Sequence, residues 1–427
     1  MTSKRVHQSR DDEGDGGEPV TAINDEPSSL SLHQNPLGAT ALLPFDIVKD
    51  ILTRLPALSL VRFECVSKPF LTLIKSPDFV AAHFSRSSRN PSILLRRFHN
   101  PTGSNFSLSI LDPRTTRIRD INIPFLSSLT RFPKIIGSSS GLLCLDVASC
   151  YATAFALWNV STGRYRSLPR PCLVEEDTPF WMVATGFGYD PHSDDFYLLR
   201  IVGYVANNPP NSPNQETTRV EVFSWRNNSW KVLEHSLTEQ IFASCSINEG
   251  QRGVPVNGSI YWVANGVGSS FNKKFVICYD MNNILFKRIA LPDLIGDVCV
   301  KIMEYKETLA VALYPTWPVG AGRGTADRVE LWVLDDCAVD RDRWVKVHTY
   351  LCPFGLCPGS PMGMWNDCEL IFKRHDMQCV SLALIDPSSL GMRKLPISPP
   401  DFTCDICWYV ESLVPVEGYV DHNNEGA

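Results

Sequence analysis

Five features of the sequence carry residue types that could do chemistry. Gly137-Ser-Ser-Ser-Gly141 matches the Gly-x-Ser-x-Gly pattern of a nucleophile elbow. An elbow needs a strand before the serine and a helix after it, so that the serine sits exposed on a strained turn. Leu142-Leu-Cys-Leu-Asp-Val147 follows and reads as a strand, so the pattern predicts a hairpin turn. Cys404-Asp-Ile-Cys407 is a lone Cys-x-x-Cys, with Cys352, Cys357, Cys368, His375 and Cys379 upstream. A zinc site uses two well-spaced ligand pairs on a turn-rich scaffold. These residues lack that spacing and fall among strand residues, so they read as buried thiols. Gly320-Ala-Gly-Arg-Gly324 lacks the Lys-Ser/Thr that completes a phosphate cradle. Arg86, Arg89, Arg96 and Arg97 form a modest basic group, read as a solvated face between domains. Nine histidines are scattered with no cluster suited to general acid–base work. The sequence therefore assigns no catalytic residue, no metal ligand and no cofactor, and the chain reads as a non-enzyme.

The chemistry on offer is association, and an amphipathic helical segment is its clearest carrier. Pro44 fits a first helical turn, where its missing N–H costs nothing, and Asp46 suits the positive end of the helix. Ile47, Val48, Ile51, Leu52 and Leu55 fall at steps of one, three and four, on one helical face, and Pro56 ends the helix. A second stretch places Leu58, Leu60, Val61, Phe63 and Val66. Lys68-Pro69 reads as a break before a short turn with Phe70, Leu73 and Ile74. Ser76-Pro77-Asp78-Phe79 then starts a fourth helix toward Phe84. Four short helices in so few residues cannot bury a large core of their own, so this unit needs a partner surface.

Beyond Arg89 short apolar strands alternate with turns. Asp or Asn follows an aromatic or apolar strand at 112, 159, 280, 335 and 386, and Trp225 takes the equivalent place in a sixth copy. The intervals are 47, 66, 55, 55 and 51 residues. A multi-strand unit recurring at such a period predicts a β-propeller of about six blades. A β-sandwich or barrel would also show evenly spaced short strands. The fold class is thus α+β and multidomain, a small helical unit followed by a mainly-β, propeller-like domain.

The 427 residues carry a net charge of −6, which argues against a dedicated nucleic-acid binder. No apolar run suggests a membrane span, and the polar N-terminus shows no secretory pattern. A cytoplasmic or nuclear protein with reduced thiols is expected. The organisation read from this pattern is a disordered acidic tail over 1–41, the helical unit over 42–85, a junction over 86–106, the β-domain over 107–415 and a second tail over 416–427.

Leu43-Pro-Phe-Asp-Ile-Val-Lys-Asp-Ile-Leu-Thr-Arg-Leu-Pro56, with Ser59-Leu-Val-Arg-Phe63, Val66-Ser-Lys68 and Leu73-Ile-Lys-Ser-Pro-Asp-Phe79, resembles an F-box. It departs at Leu58 and Glu64, where basic residues are common, and at Phe70, where Trp is common. The β-domain resembles the kelch-like, F-box-associated domain of a large plant family. The phrases that carry this resemblance are Gly137–Leu145, Trp158-Asn159 through Leu168-Pro169, Gly186–Pro191, Val256–Trp262 and Glu330–Leu334. The resemblance implies a substrate-recognition subunit of an SCF-type ubiquitin ligase. Its F-box would dock a SKP-type adaptor, and through it cullin and RING subunits. Its β-domain would bind an unknown target protein. The implied adaptor contacts are Leu43, Pro44, Ile47, Val48, Ile51, Leu52, Leu60 and Phe63. Trp317, Arg323 and Asn208, on the two long loops, are the candidate target contacts, since loops on a rigid scaffold often carry recognition. A non-degradative scaffold and a small-molecule co-receptor stay open as alternatives.

Overall fold

The computed structural model describes residues 43–98, 106–121, 123, 133–147, 154–173, 180–205, 216–234, 238, 241–268, 273–292, 298–315, 328–335, 343–351, 360–376, 379–389, 391–395 and 402–416. Four helices come first: α1 (Phe45–Thr53), α2 (Ala57–Phe63), α3 (Lys68–Lys75) and α4 (Pro77–Ser87). The expected break at Lys68-Pro69 is instead the start of α3. Ser67 caps that helix by accepting the Phe70 N–H, and Pro69 occupies its first turn, where proline is tolerated. Ser76 caps α4 in the same way through the Phe79 N–H.

The described strands form six sheets, the six blades, whose neighbours are antiparallel save for one short parallel pair in blade 3. Blade 1 holds β1 (Ser92–Phe98), β2 (Phe106–Leu111) and β3 (Ile118–Ile121), and the last strand of the chain, β26 (Phe402–Tyr409), is its fourth member. Blade 2 is β4 (Lys134–Ser139), β5 (Leu142–Asp146), β6 (Phe155–Trp158) and β7 (Tyr165–Ser167). Blade 3 is β8 (Phe180–Asp190), β9 (Asp195–Val205), β10 (Glu216–Ser224) and β11 (Ser229–Val232), with β13 (Gln251–Arg252) added in parallel to β8. Blade 4 holds β12 (Cys245–Ile247), β14 (Val254–Val256), β15 (Ser259–Gly266), β16 (Lys274–Asp280) and β17 (Leu285–Ala290). Blade 5 is β18 (Val298–Tyr305), β19 (Thr308–Pro315), β20 (Arg328–Asp335) and β21 (Arg343–Leu351). Blade 6 is β22 (Pro361–Met364), β23 (Leu370–Asp376), β24 (Cys379–Ile385) and β25 (Met392–Lys394).

The six repeat positions read from the sequence all mark the same turn, between the third and fourth strands of a blade. The physical reason is a carboxylate or amide that holds the turn's amides. Asp112 accepts the Arg114 N–H, Asn159 those of Ser161 and Thr162, Asp280 those of Asn282 and Asn283, and Asp386 that of Ser388. In blade 3, where Trp225 stands at this place, Asp195 from the neighbouring hairpin does the work. It accepts from the Arg226 N–H at 2.8 Å and from the Ser224 hydroxyl at 2.5 Å.

Side chains from adjacent blades interdigitate in an apolar layer at each of the six junctions, including that between blades 6 and 1. A blade is thus buried on both faces, which is why β5 and β6 read as unbroken apolar runs rather than alternating ones. The ring closes by pairing β26 against β1, with Ile93 opposite Trp408 and Leu94 opposite Cys407. The stretch read as a junction, 86–106, contains β1, whose Ile93, Leu94 and Leu95 are buried core. Val416, placed in a tail, is also buried against blades 2 and 3.

Candidate functional site

The helical unit leaves apolar side chains bare. Among the described residues thirteen large hydrophobics are exposed, and five of them fall within 43–66: Leu43, Ile47, Ile51, Leu58 and Val66. Ile47 and Ile51, one turn apart on α1, are 48% and 45% exposed. Pro44 is also exposed, and Val48 and Phe63 are half-buried. Leu52 and Leu60 are not part of this ridge: they are buried at 5% and 0%, so they pack the chain's own interior. A helical face of a unit this small must serve both purposes, and the period alone does not separate them.

Two of the three departures from the usual pattern find a role in the geometry. Leu58 is 47% exposed and extends the bare apolar surface. Phe70 packs against Phe63, with ring centroids 5.9 Å apart. His83 of α4 is buried, and its Nε2–H donates to the Leu55 carbonyl, 3.1 Å away. Its Nδ1 has no hydrogen-bond partner. Burial pushes the His83 pKa down, against smaller upward effects of that hydrogen bond and of Glu411.

Strand direction sorts the connections of the β-domain into two faces. First-to-second and third-to-fourth connections share one face; the others share the opposite face. The helical unit enters at the first face, because the start of β1 pairs with the end of β26 there, Ser92 opposite Tyr409. The connections on that face are short, as at Ser140-Gly141 and Lys306-Glu307. The widest separations between consecutive described strands, twelve residues each, lie at the opposite face, at Ile121/Lys134, Ser167/Phe180, Val232/Cys245 and Pro315/Arg328, and the ten-residue separation Val205/Glu216 lies there too. Val205/Glu216 brackets Asn208, and Pro315/Arg328 brackets Trp317 and Arg323; all three lie outside the described residues.

At that opposite rim Phe180 is 38% exposed and lies over the guanidinium of Arg200, 5.1 Å from ring centroid to the charged carbon. Arg200 is wholly buried and paired with the buried Glu221. Arg200 also donates to the Leu173 carbonyl at 3.3 Å, while the Leu173 N–H donates to Glu221 at 3.0 Å. Burial pushes the arginine's pKa down, and the Glu221 charge opposes this. The pair anchors the segment leading from blade 2 to blade 3. Sequence reasoning passed over it, although Arg200 as the one charge in the interior of the apolar strand β9 was the available signal.

The chemistry-bearing motifs take structural places. Ser140 and Gly141 form the β4–β5 hairpin turn, with φ of 45° and 78°. Cys407 packs into the layer between blades 1 and 2. Among the described residues no His, Cys, Asp and Glu group comes together as a metal site. Arg86 and Arg89 are exposed at the end of α4, whereas Arg96 and Arg97 are half-buried on β1, so the four do not form one patch. Gly320–Gly324 lies outside the described residues. No described helix is long and apolar enough to cross a membrane.

Comparison with known families matches residues 41–81 to the F-box domain and residues 94–401 to the F-box associated beta propeller domain. The chain belongs to the F-box proteins with an associated β-propeller. F-box protein CPR1 from Arabidopsis thaliana is 27% identical over 329 residues, covering 73% of this chain and 74% of that protein. Arabidopsis F-box protein At3g08750 is 25% identical over 410 residues, covering 88% and 97%. The solved structure of TolB from Acinetobacter baumannii covers 78% of this chain and 73% of its own, at a TM-score of 0.43 and 12% identity. The F-box is therefore the helical unit α1–α4, and its bare ridge and the propeller's far rim are the two candidate surfaces of this F-box protein.

Proposed function

We propose that this protein is the substrate-recognition subunit of an SCF-type ubiquitin ligase. The F-box ridge docks a SKP-type adaptor, which brings cullin and RING subunits, and the propeller binds a target protein. Ubiquitin transfer in this reading takes place on the other subunits. The observation that carries the proposal is the crowding of bare apolar side chains on one small helical unit, five within 24 residues. Contiguous exposed apolar surface marks an interaction site. The position of the F-box at one face and of the widest strand separations at the other supports target binding at the far rim. Nucleic acid and membrane are not partners in this reading, and the site of action is the cytoplasm or nucleus, where the expected partners work.

The test is reconstitution from purified SKP-type adaptor, cullin and RING subunits, followed by gel filtration. One stoichiometric complex is expected with the natural chain, and none with Leu43→Ala/Pro44→Ala, while circular dichroism shows the propeller intact. Proteins captured from cells by the natural chain and by this variant should be the same set, and should gain ubiquitin only with the natural chain. A ridge variant that still assembles would overturn the proposal.

A further inference from the structure

The F-box is held to the propeller through more than the peptide that links them. Helix α2 begins after Pro56, which offers no side-chain cap. The Ala57 N–H donates instead to the Glu411 carboxylate, 3.3 Å away and 354 residues later. Just past the other end of α2, Glu64 is paired with Arg164 at 3.3 Å, and the glutamate side chain is only 11% exposed. This gives Glu64 a role where the family usually places a basic residue.

Both partners stand on one firm support. Arg164 closes the β6–β7 turn of blade 2, its N–H lying two residues after the Asn159–Thr162 turn held by the Asn159 amide. Glu411 belongs to the segment 410–416 that follows β26, and this segment is tied to the same turn. The Asn159 amide donates to the carbonyls of Ser412 at 3.0 Å and Val414 at 2.9 Å. The Ser412 N–H donates to the Ser161 hydroxyl at 3.0 Å, and Tyr409 shares a 2.5 Å hydrogen bond with that hydroxyl. Ser412 is fully buried, and a β-carbon on Gly141 would stand 2.1 Å from the Ser412 β-carbon. The strap is thus seated with no slack, and it continues the strand that closes the ring.

We propose that Glu64, Arg164 and Glu411 are positioning residues that fix the angle of the F-box on the propeller, and so set where a bound target lies relative to the adaptor. The inference rests on the adaptor reading above for its consequence in ubiquitination, but not for the orientation itself. One exposed ion pair holds little. Here the ion pair and the Glu411 contact clamp α2 at both ends, and the covalent link at 88–91 supplies a third point. Three separated points define an orientation.

The experiment is a pulsed dipolar distance measurement on the full chain. Spin labels are placed through a bioorthogonal amino acid at Lys75 on α3 and at Asn282 in blade 4, both exposed. The natural pair should give a single narrow distance distribution. Glu64→Arg combined with Glu411→Gln should lose that single narrow peak. Glu64→Arg combined with Arg164→Glu, which restores the ion pair in reverse, should keep it. A broad distribution in the natural protein, or a narrow one in the first variant, overturns the proposal. Adaptor binding is measured on the same samples. Absence of adaptor binding in every sample would refute the ligase reading and leave the distance result standing.

Discussion

Ile47→Ala combined with Ile51→Ala separates docking surface from core more cleanly than any deletion of the F-box. The two side chains are 48% and 45% exposed on adjacent turns of α1, so about half of each remains to be covered by a partner. Complete burial of an isoleucine stabilises by roughly 1.5–3 kcal/mol, so covering the remaining half contributes about 1 kcal/mol each. Losing both costs about 2 kcal/mol of binding, which is roughly a 30-fold weaker Kd. By the same arithmetic the half already buried contributes about 1 kcal/mol each to folding, partly offset by the higher helix propensity of alanine. Leu60→Ala is the counterpart. Leu60 is fully buried, and truncating a buried leucine costs about 2–5 kcal/mol of stability. Calorimetric titration with a SKP-type adaptor, paired with thermal unfolding, reads both quantities. Ridge variants should lose affinity with only a small fall in melting temperature, and Leu60→Ala should lower the melting temperature further per residue truncated while leaving the exposed ridge in place. Equal melting losses for the two, or unchanged affinity in the isoleucine variant, would refute the division between ridge and core.

Other perturbations test the scaffold. His83 is buried neutral with its pKa lowered, so the unfolded chain takes up a proton near pH 6.5 while the folded F-box does not. The stability from this group is complete above that pH and declines as pH falls below it, and His83→Gln should remove this part of the decline in thermal melts between pH 7.5 and 5.5. Gly141→Ala imposes a positive φ of 78° on alanine and drives its β-carbon into Ser412. The backbone alone costs roughly 1–2 kcal/mol, so proteolysis should cut the C-terminal strap faster in this variant. Arg200→Met leaves the Glu221 carboxylate buried without its partner and should cost about 3–5 kcal/mol in denaturant unfolding, whereas replacing both by Met and Leu should restore much of it.

The features legible in the sequence were those written locally. Helix periods and capping serines gave α1–α4, although Pro69 was read as a break when its place after Ser67 makes it a helix start. The turn positions gave six blades because Asp112, Asn159, Asp280 and Asp386 each hold their own turn through neighbouring amides. Blade 3 also shows why the repeat looks degenerate, since Asp195 supplies the missing group from another hairpin. Closure of the ring was not legible. Ile93-Leu-Leu95 pairs locally with β2 on one side, but its partner on the other side, β26, lies some three hundred residues away in the chain. Separation in the chain likewise hid Glu411 from Ala57, 354 residues apart, and Glu64 from Arg164, 100 apart. The apolar ridge was legible as a set but not as individuals, because Leu52 and Leu60 share its period while facing inward.

Hydrogen exchange of the whole chain, with and without a SKP-type adaptor, tests the central claim most directly. Adaptor binding should slow exchange in the stretch from Leu43 to Val66 and leave the propeller strands unchanged. Protection appearing on the blades, or none within α1 and α2, would contradict it.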